Sequence, residues 1–328
     1  MRGIVRRATL RSLAKINLDL RILNKRPDNF HELRTVFQTI SLADTIEISC
    51  EPTGRRKVTI DDELQIPDNL IVRAAHAVLE VVQVKLEVRF RLSKQIPMGG
   101  GLGGGSSNAA AVLLALPVLA GVEIPMERLL SMAQDLGSDV PFFLHGGTRL
   151  GVGRGGELYP QPDIHNQPIL LVFPPVQVAT GPAYAALGRG LTFTGSSSSI
   201  NSFQAYARAL ECGRSAMAAS PFGANDFESV VFKQYPQLAK IAARLRKFSP
   251  AVRMSGSGST IFALFDSKDD RGRAVSGLDG DRALKGCRLI EAELVSRAGY
   301  QRLWRRQLAE HLVPSKEDSW PPRSKYAQ

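Results

Sequence analysis

From residue 13 to residue 23 the chain alternates. Ala14, Ile16, Leu18, Leu20 and Ile22 fall on one side; Lys15, Asn17, Asp19 and Arg21 fall on the other. A period of two marks a half-buried strand. The pattern returns at Leu86, Val88, Phe90 and Leu92, set against Glu87, Arg89, Arg91 and Ser93. Apolar stretches predict further strands over 35–42, 45–49, 169–173 and 261–265. Helical signals lie between them. Asn69 is placed to cap a helix running to about Val82, and Pro125 suits the first turn of a helix ending near Leu136. Residues 200–211, 225–233 and 236–247 read as helices. Asn108–Leu116 reads as an apolar helix that Pro117 should end or kink. Asp139 and Thr180 each stand two residues before a proline, ahead of an expected short helix. Gly-rich 151–156 and Pro-rich 160–168 suggest a domain junction, and 194–199 a surface loop. The last thirty residues read as a helix and a loose tail.

One segment fits none of these periods. Six of the seven residues from Gly99 to Gly105 are glycine, between a patterned strand and an apolar helix. Glycine lets the backbone take positive φ or approach a ligand closely. A helix N-terminus offers unpaired N–H groups and a positive dipole end, so the segment predicts an anion site, most simply for phosphate. It is not a P-loop, which needs lysine where Ser106 follows Gly105. The Gly-x-G-x-x-Gly match at 99–104 carries little weight among so many glycines, and no His-Arg-Asp or Asp-Phe-Gly stretch supports a protein kinase.

Composition narrows the class. The 328 residues are 44% hydrophobic and 22% charged, enough for about two soluble domains. Cys50, Cys212 and Cys287 show neither zinc spacing nor a disulfide framework, pointing to a reducing cytoplasm. No apolar run reaches the ~18 residues of a membrane span, and the basic start of the chain lacks a secretory apolar core. The net charge of +11 admits an anionic small-molecule substrate, a nucleic acid or a basic surface. The basic residues are scattered without interleaved aromatics, which argues against nucleic acid.

The segment Pro97–Asn108 resembles the ATP-binding motif of the GHMP kinase superfamily. Three other stretches agree in order and spacing: AKINLDLRI (14–22) followed by PDNFHEL (27–33), LGSDVPFF (136–143) and MSGSGSTIFALF (254–265). Within the superfamily the resemblance is to kinases that phosphorylate the 2-hydroxyl of a cytidine-diphosphate-linked methylerythritol in the non-mevalonate isoprenoid pathway. It implies an α+β, two-domain GHMP kinase fold. Residues 1–162 would form an N-terminal domain with a ribosomal-protein-like β-α-β arrangement, and residues 163–298 a ferredoxin-like C-terminal domain. Residues 299–328 would be a basic extension of unknown role. The implied cofactors are ATP and Mg²⁺, and the implied partner is the small-molecule substrate, with no nucleic acid or membrane and a monomer or homodimer.

The resemblance also assigns roles. Pro97, Met98, Gly99, Gly100, Gly101, Leu102, Gly103, Gly104, Gly105, Ser106, Ser107 and Asn108 would cradle the ATP phosphates, Ser107 would reach the metal, and Gly256 and Gly258 would support the phosphate site. Asp139 would be the catalytic base and Lys15 its partner. Asn17, Phe30, His31 and Thr180 would bind substrate, with Phe30 and His31 recognising the cytosine. The residues taken alone leave plainer readings open. Asp139 and Thr180 fit helix caps, Lys15 a solvated strand lysine, His31 a turn residue, and Gly256 and Gly258 a β-turn. The chain departs from the family where tyrosine commonly stands at Phe30, at Pro117, and after Gly299, where a dimer contact, a tether to an anionic surface or disorder are all open. A kinase acting on another small alcohol, homoserine-like or mevalonate-like, and a basic nucleic-acid-binding protein remain the alternatives.

Overall fold

The computed structural model describes residues 4–164, 167–191, 197–212, 223–314 and 319–327. Its first strand is longer than the alternation predicts. β1 (Arg6–Lys25) pairs antiparallel with β2 (His31–Pro52) along nearly its whole length. The two strands expected at 35–42 and 45–49 are therefore one. What broke the pattern is Asp44, a charged residue in the strand interior that is fully buried. Its carboxylate accepts the N–H groups of Gln95 and Ile96, both at 2.8 Å, and pairs with Lys94 Nζ. A buried charge is tolerated when it is paired and hydrogen-bonded in this way.

The first sheet runs β3-β4-β2-β5-β6, with β1 on β2. Its other members are β3 (Lys57–Asp62), β4 (Leu86–Ser93), β5 (Thr148–Gly153) and β6 (Glu157–Pro160). β3 was not expected, because the basic run Arg55–Lys57 masks its start. The second sheet is antiparallel, β10-β7-β9-β8. It is made of β7 (Pro168–Phe173), β8 (Val252–Met254), β9 (Ile261–Leu264) and β10 (Arg288–Glu293).

Three apolar clusters order the layers. On one face of the first sheet, residues such as Leu13, Phe37, Ile46 and Val88 pack under five helices. These are α1 (Leu70–Val82), α2 (Gly104–Ala120), α3 (Met126–Leu136), α4 (Val140–His145) and α10 (Arg297–Gln307). Between the sheets, Ala14, Ile16 and Leu18 meet Ile169, Leu171 and Phe262, closed by α6 (Ser197–Glu211). Beyond the second sheet, Leu170, Val172 and Ile261 face α5 (Thr180–Ala186), α7 (Glu228–Gln234), α8 (Pro236–Leu245) and α9 (Lys268–Leu278). Successive residues of β7 thus serve opposite cores, as a strand buried on both faces must. The result is the two-sheet α+β architecture that the resemblance implied.

Several local expectations change. α2 does not stop at Pro117; it runs to Ala120 and ends at Gly121. Pro117 lies in the last turn, and residues 107–119 are buried throughout, so packing offsets the missing N–H bond. Residues 151–156 are part of the β5–β6 hairpin, while the second sheet begins at Pro168. Of the expected loop at 194–199, residues 194–196 lie outside the described residues, while α6 begins at Ser197. Asn69 caps α1 as expected, its side chain accepting Ile71 N–H at 3.0 Å. The described residues beyond Gly299 are packed: Tyr300, Trp304 and Leu308 are almost fully buried in the first-sheet core, and in the stretch expected as a loose tail Ser324 is buried against Val118.

Candidate active site

A cleft of about 820 Å³ opens between the two sheets. One wall is main chain. Gly99, Gly101 and Gly103 line it, all with positive φ between 69° and 75°. The glycine at 101 is obligatory on two counts: its φ is +75°, and a Cβ there would collide with the Ser255 carbonyl oxygen. The loop lies directly on the turn between β8 and β9. Ser255 Oγ donates to Gly101 O at 2.9 Å, and Thr260 N–H donates to Gly100 O at 3.3 Å. Gly256 and Gly258 of that turn also line the cleft. Asn225, expected only as a helix start, braces the turn by donating from Nδ2 to Met254 O and Gly256 O, both at 2.7 Å.

α2 begins at Gly104, with Gly103 at the N-cap and no side chain capping it. Gly104, Gly105 and Ser106 form its partly exposed first turn, next to Gly103 but outside the cleft lining itself, and as first-turn residues their N–H groups have no intrahelical acceptor. Pro97 and Met98 precede the loop and are not part of the cleft lining; Met98 is exposed. Leu102 is buried, and its carbonyl accepts Lys15 N–H at 3.0 Å, which joins loop to strand. Ser107 and Asn108 lie beneath the loop, both buried. Ser107 Oγ donates to Leu13 O at 2.7 Å. Asn108 is held between Ser12 and the Asp44 carboxylate. Asp44 therefore fixes both the strand leading into the loop and the helix leaving it.

On the cleft floor Lys15 Nζ lies 3.4 Å from Asp139 Oδ2. The lysine is buried and the aspartate half-exposed, its side chain 35% accessible. Lys15 Nζ also donates to Asn17 Oδ1 at 2.6 Å, Asn17 Nδ2 to Thr35 Oγ1 at 2.8 Å, and Thr35 Oγ1 to Asp19 O at 2.7 Å. This chain of bonds gives the ammonium one orientation. Asp139 occupies the N-cap position of α4 but makes no capping hydrogen bond with its side chain. Its carboxylate is left for Lys15 and the cleft.

The far wall is made of side chains. His31 stacks on Tyr184, with ring centroids 4.5 Å apart and planes 21° apart, and Tyr184 sits edge-on to Phe227 at 4.8 Å. Burial, helped by the Lys25 charge, lowers the His31 pKa below its ordinary 6.5, so the ring is neutral at pH 7 and offers one donor and one acceptor. Burial, with the nearby Asp139 carboxylate, pushes the Tyr184 phenol up to about 12. Phe30 lines the cleft at its rim, with the Arg154 guanidinium 3.4 Å over its ring. Thr180 is the first residue of α5 and makes no cap; its Oγ1 lies 2.9 Å from Ser257 Oγ in the glycine turn. The cleft thus brings together Lys15, Asn17, Phe30, His31, Asp139 and Thr180 from four separate stretches of chain.

Comparison with known proteins gives this arrangement relatives. Residues 69–147 match the GHMP kinases N terminal domain and residues 204–281 the GHMP kinases C terminal family. A 4-diphosphocytidyl-2-C-methyl-D-erythritol kinase of Solibacter usitatus (strain Ellin6076) is 49% identical over 326 residues, covering 98% of both chains. The chain belongs to the 4-diphosphocytidyl-2-C-methyl-D-erythritol kinase family. A family member from Geobacillus kaustophilus (strain HTA426) is 36% identical over 84% of this chain and 93% of its own. A crystal structure of a 4-(cytidine 5'-diphospho)-2C-methyl-D-erythritol kinase superposes with a TM-score of 0.71 at 34% identity, over 87% of this chain and 98% of that one. The homoserine kinase of Cytophaga hutchinsonii ATCC 33406 shares the fold at a TM-score of 0.68 and 17% identity, over 88% of this chain and 95% of its own.

Three contributors to the cleft, Tyr184, Ser255 and Asn225, are not announced by the sequence. Tyr184 stands four residues after Thr180, so both occupy one face of α5. Ser255 lies within the 254–265 motif, where only the glycines drew a role, and Asn225 belongs to no motif; only the fold brings both to the loop. No described helix is long and apolar enough to cross a membrane.

Proposed function

We propose that the cleft transfers the γ-phosphoryl group of ATP to the 2-hydroxyl of 4-diphosphocytidyl-2-C-methyl-D-erythritol. The kinase activity follows from family membership; the residue roles rest on geometry. The observation that carries them is the Lys15–Asp139 pair, placed in one cleft between the glycine loop and the His31–Tyr184 stack. Main-chain N–H groups of the loop and of the first turn of α2 receive the phosphates. Asp139 orients the acceptor hydroxyl and takes its proton as the oxygen attacks. Lys15, held by Asn17, keeps the carboxylate in place and neutralises charge gathering on the transferred group. The neutral His31 reads the edge of the cytosine, and Tyr184 and Phe30 supply aromatic faces for it. No covalent enzyme intermediate is required; positioning and electrostatics suffice.

Mg²⁺ fits this site only as an ion that arrives with the nucleotide. Among the described residues no group of three or more His, Cys, Asp or Glu side chains forms a metal cage. A magnesium carried on phosphates and waters needs few protein ligands. Asp139 offers carboxylate oxygens there, and Ser107 keeps only acceptor lone pairs, its proton being given to Leu13 O. When bound, the ion would neutralise phosphate charge. The proposal includes a division into residues 1–162, bearing the loop and the Lys15–Asp139 pair, and residues 163–298, which cover them. It also includes a cytoplasmic monomer or homodimer acting on a small molecule, with no nucleic acid or membrane.

An ADP-coupled assay of the purified protein tests the substrate. With ATP and Mg²⁺, turnover should appear on the cytidylyl alcohol and be at least about a hundredfold weaker on homoserine and mevalonate, which leave the His31–Tyr184 wall unpaired. Equal turnover on homoserine or mevalonate would overturn the assignment. A steeply salt-dependent RNA complex without turnover would support the nucleic-acid alternative instead.

A further inference from the structure

The two helices that open on the cleft, α2 and α4, both end against the last thirty residues of the chain. A helix C-terminus leaves its last carbonyls without intrahelical partners. At the end of α4, Tyr300 Oη donates to Phe143 O at 2.5 Å and Trp320 Nε1 donates to Leu144 O at 2.9 Å. The backbone does not supply these bonds itself, because the Gly147 N–H turns away to Thr39 Oγ1 at 3.0 Å. Gly146 lets the contact form: a Cβ there would collide with the Tyr300 ring. At the end of α2, Ser324 Oγ donates to Val118 O at 2.7 Å. The neighbouring Leu119 O accepts from Arg6, whose guanidinium lies 3.8 Å over the Tyr326 ring. The start of β1 is tied in as well, through His311 Nε2 and Arg7 O at 2.7 Å.

These are the far ends of the elements whose near ends make the site. β1 carries Lys15 and Asn17, α2 carries the glycine loop at its N-terminus, and α4 follows Asp139. α4 has only six residues, too few to be held by its own hydrogen bonds. Its Phe143 ring also lies against the loop, where a Cβ on Gly103 would come within 2.8 Å of it. Displacement of α4 therefore moves both Asp139 and the ring supporting the loop.

We infer that residues 297–314 and 319–327 form a positioning clasp for catalysis, holding the carbonyl ends of α2 and α4 so that the loop and Asp139 keep their places in the cleft. This inference rests on the proposed roles of Asp139 and the loop. It replaces the open readings of the extension as tether or disorder, since Tyr300, Trp304, His311 and Ser324 are buried inside the molecule. Tyr300 and Trp320 are positioning residues; they lie outside the cleft lining.

The test uses the full chain with Trp320→Phe and Tyr300→Phe, each of which removes one hydrogen-bond donor and keeps an aromatic ring. Leu284→Ala, in the core beyond the second sheet, serves as a stability control. The clasp predicts that each aromatic variant lowers kcat about fivefold to tenfold while both KM values stay within about twofold. Leu284→Ala should lower the melting temperature and leave kcat unchanged. Amide exchange should quicken around Ser138–Asp139 and the first turn of α2 in Trp320→Phe and not in the control. If both aromatic variants lose thermal stability but keep wild-type kcat and wild-type exchange at those positions, the extension is only a stabilising strap and the inference fails. If the wild-type enzyme does not turn over the cytidylyl alcohol, the substrate reading fails, and the exchange measurement still decides the clasp.

Discussion

Where Gly101 meets Ser255 the protein offers a ligand main chain, whereas across the cleft His31, Tyr184 and Phe227 offer side chains from three separate elements. The two walls must answer to substitution differently. Donors on the main chain cannot be deleted by changing a side chain; that wall is damaged only by altering its shape. The acceptor wall is a set of separable groups, and each can be removed at its own cost. The sharpness of that contrast can be measured.

Setting the reacting carboxylate Asp139 aside, the largest effect is expected on the main-chain wall. Gly101→Ala forces a Cβ into the Ser255 carbonyl at φ +75°. It should cost about 1–3 kcal/mol of stability and cut kcat/KM for ATP more than about a hundredfold. Steady-state kinetics and thermal unfolding check it, and a variant with ordinary ATP kinetics would remove the claim that shape is what this wall contributes. Next is Tyr184→Ala. With the stack gone, KM for the cytidylyl alcohol should rise about tenfold, roughly 1.4 kcal/mol, while KM for ATP stays within about twofold. A parallel loss of ATP affinity would mean that the walls are not separable.

His31 gives a smaller, pH-dependent effect. Its pKa is lowered in the fold, so the unfolded chain takes up the proton first as pH falls. The stability contributed by the neutral ring is present above about pH 6.5 and is lost as pH drops through the lowered value. The KM for the cytidylyl alcohol should follow: flat from pH 8 to 6.5 and rising below. His31→Gln should remove that rise. The smallest effect is expected for Thr180→Val, about threefold or less in acceptor KM, because among the described residues its hydroxyl hydrogen-bonds Ser257 alone.

The same contrast explains what the sequence makes legible. The glycine loop is local: seven consecutive residues followed by a helix are enough to announce an anion site. The alternation of β1 is equally plain, but it predicts a half-buried strand, whereas Lys15, Asn17 and Asp19 are buried as well because the cleft and the chain around Ala224 cover the polar face. The acceptor wall is not local. His31 is a turn residue until α5 delivers Tyr184 to its face, and Asn225 looks like a helix start until the glycine turn folds onto it. Resemblance to a family supplied Lys15, Asp139 and His31, and the fold then showed that Asp139 makes no cap. Asp44 misled the pattern for a physical reason, since a buried carboxylate at a strand centre looks like a break unless its partners at Gln95 and Ile96 are known. Pro117 misled it because helix propensity yields to burial in the last turn of α2.

Asp139 is where the two walls meet, and its replacement is the most direct test. Asp139→Asn keeps the shape of the side chain and removes its ability to accept the proton. With ATP and the cytidylyl alcohol at saturating concentrations, kcat should fall by about 10²–10⁴, with both KM values within about twofold of wild type. A variant that retains near-normal kcat would leave Asp139 as no more than a partner of Lys15 and would contradict the proposed chemistry.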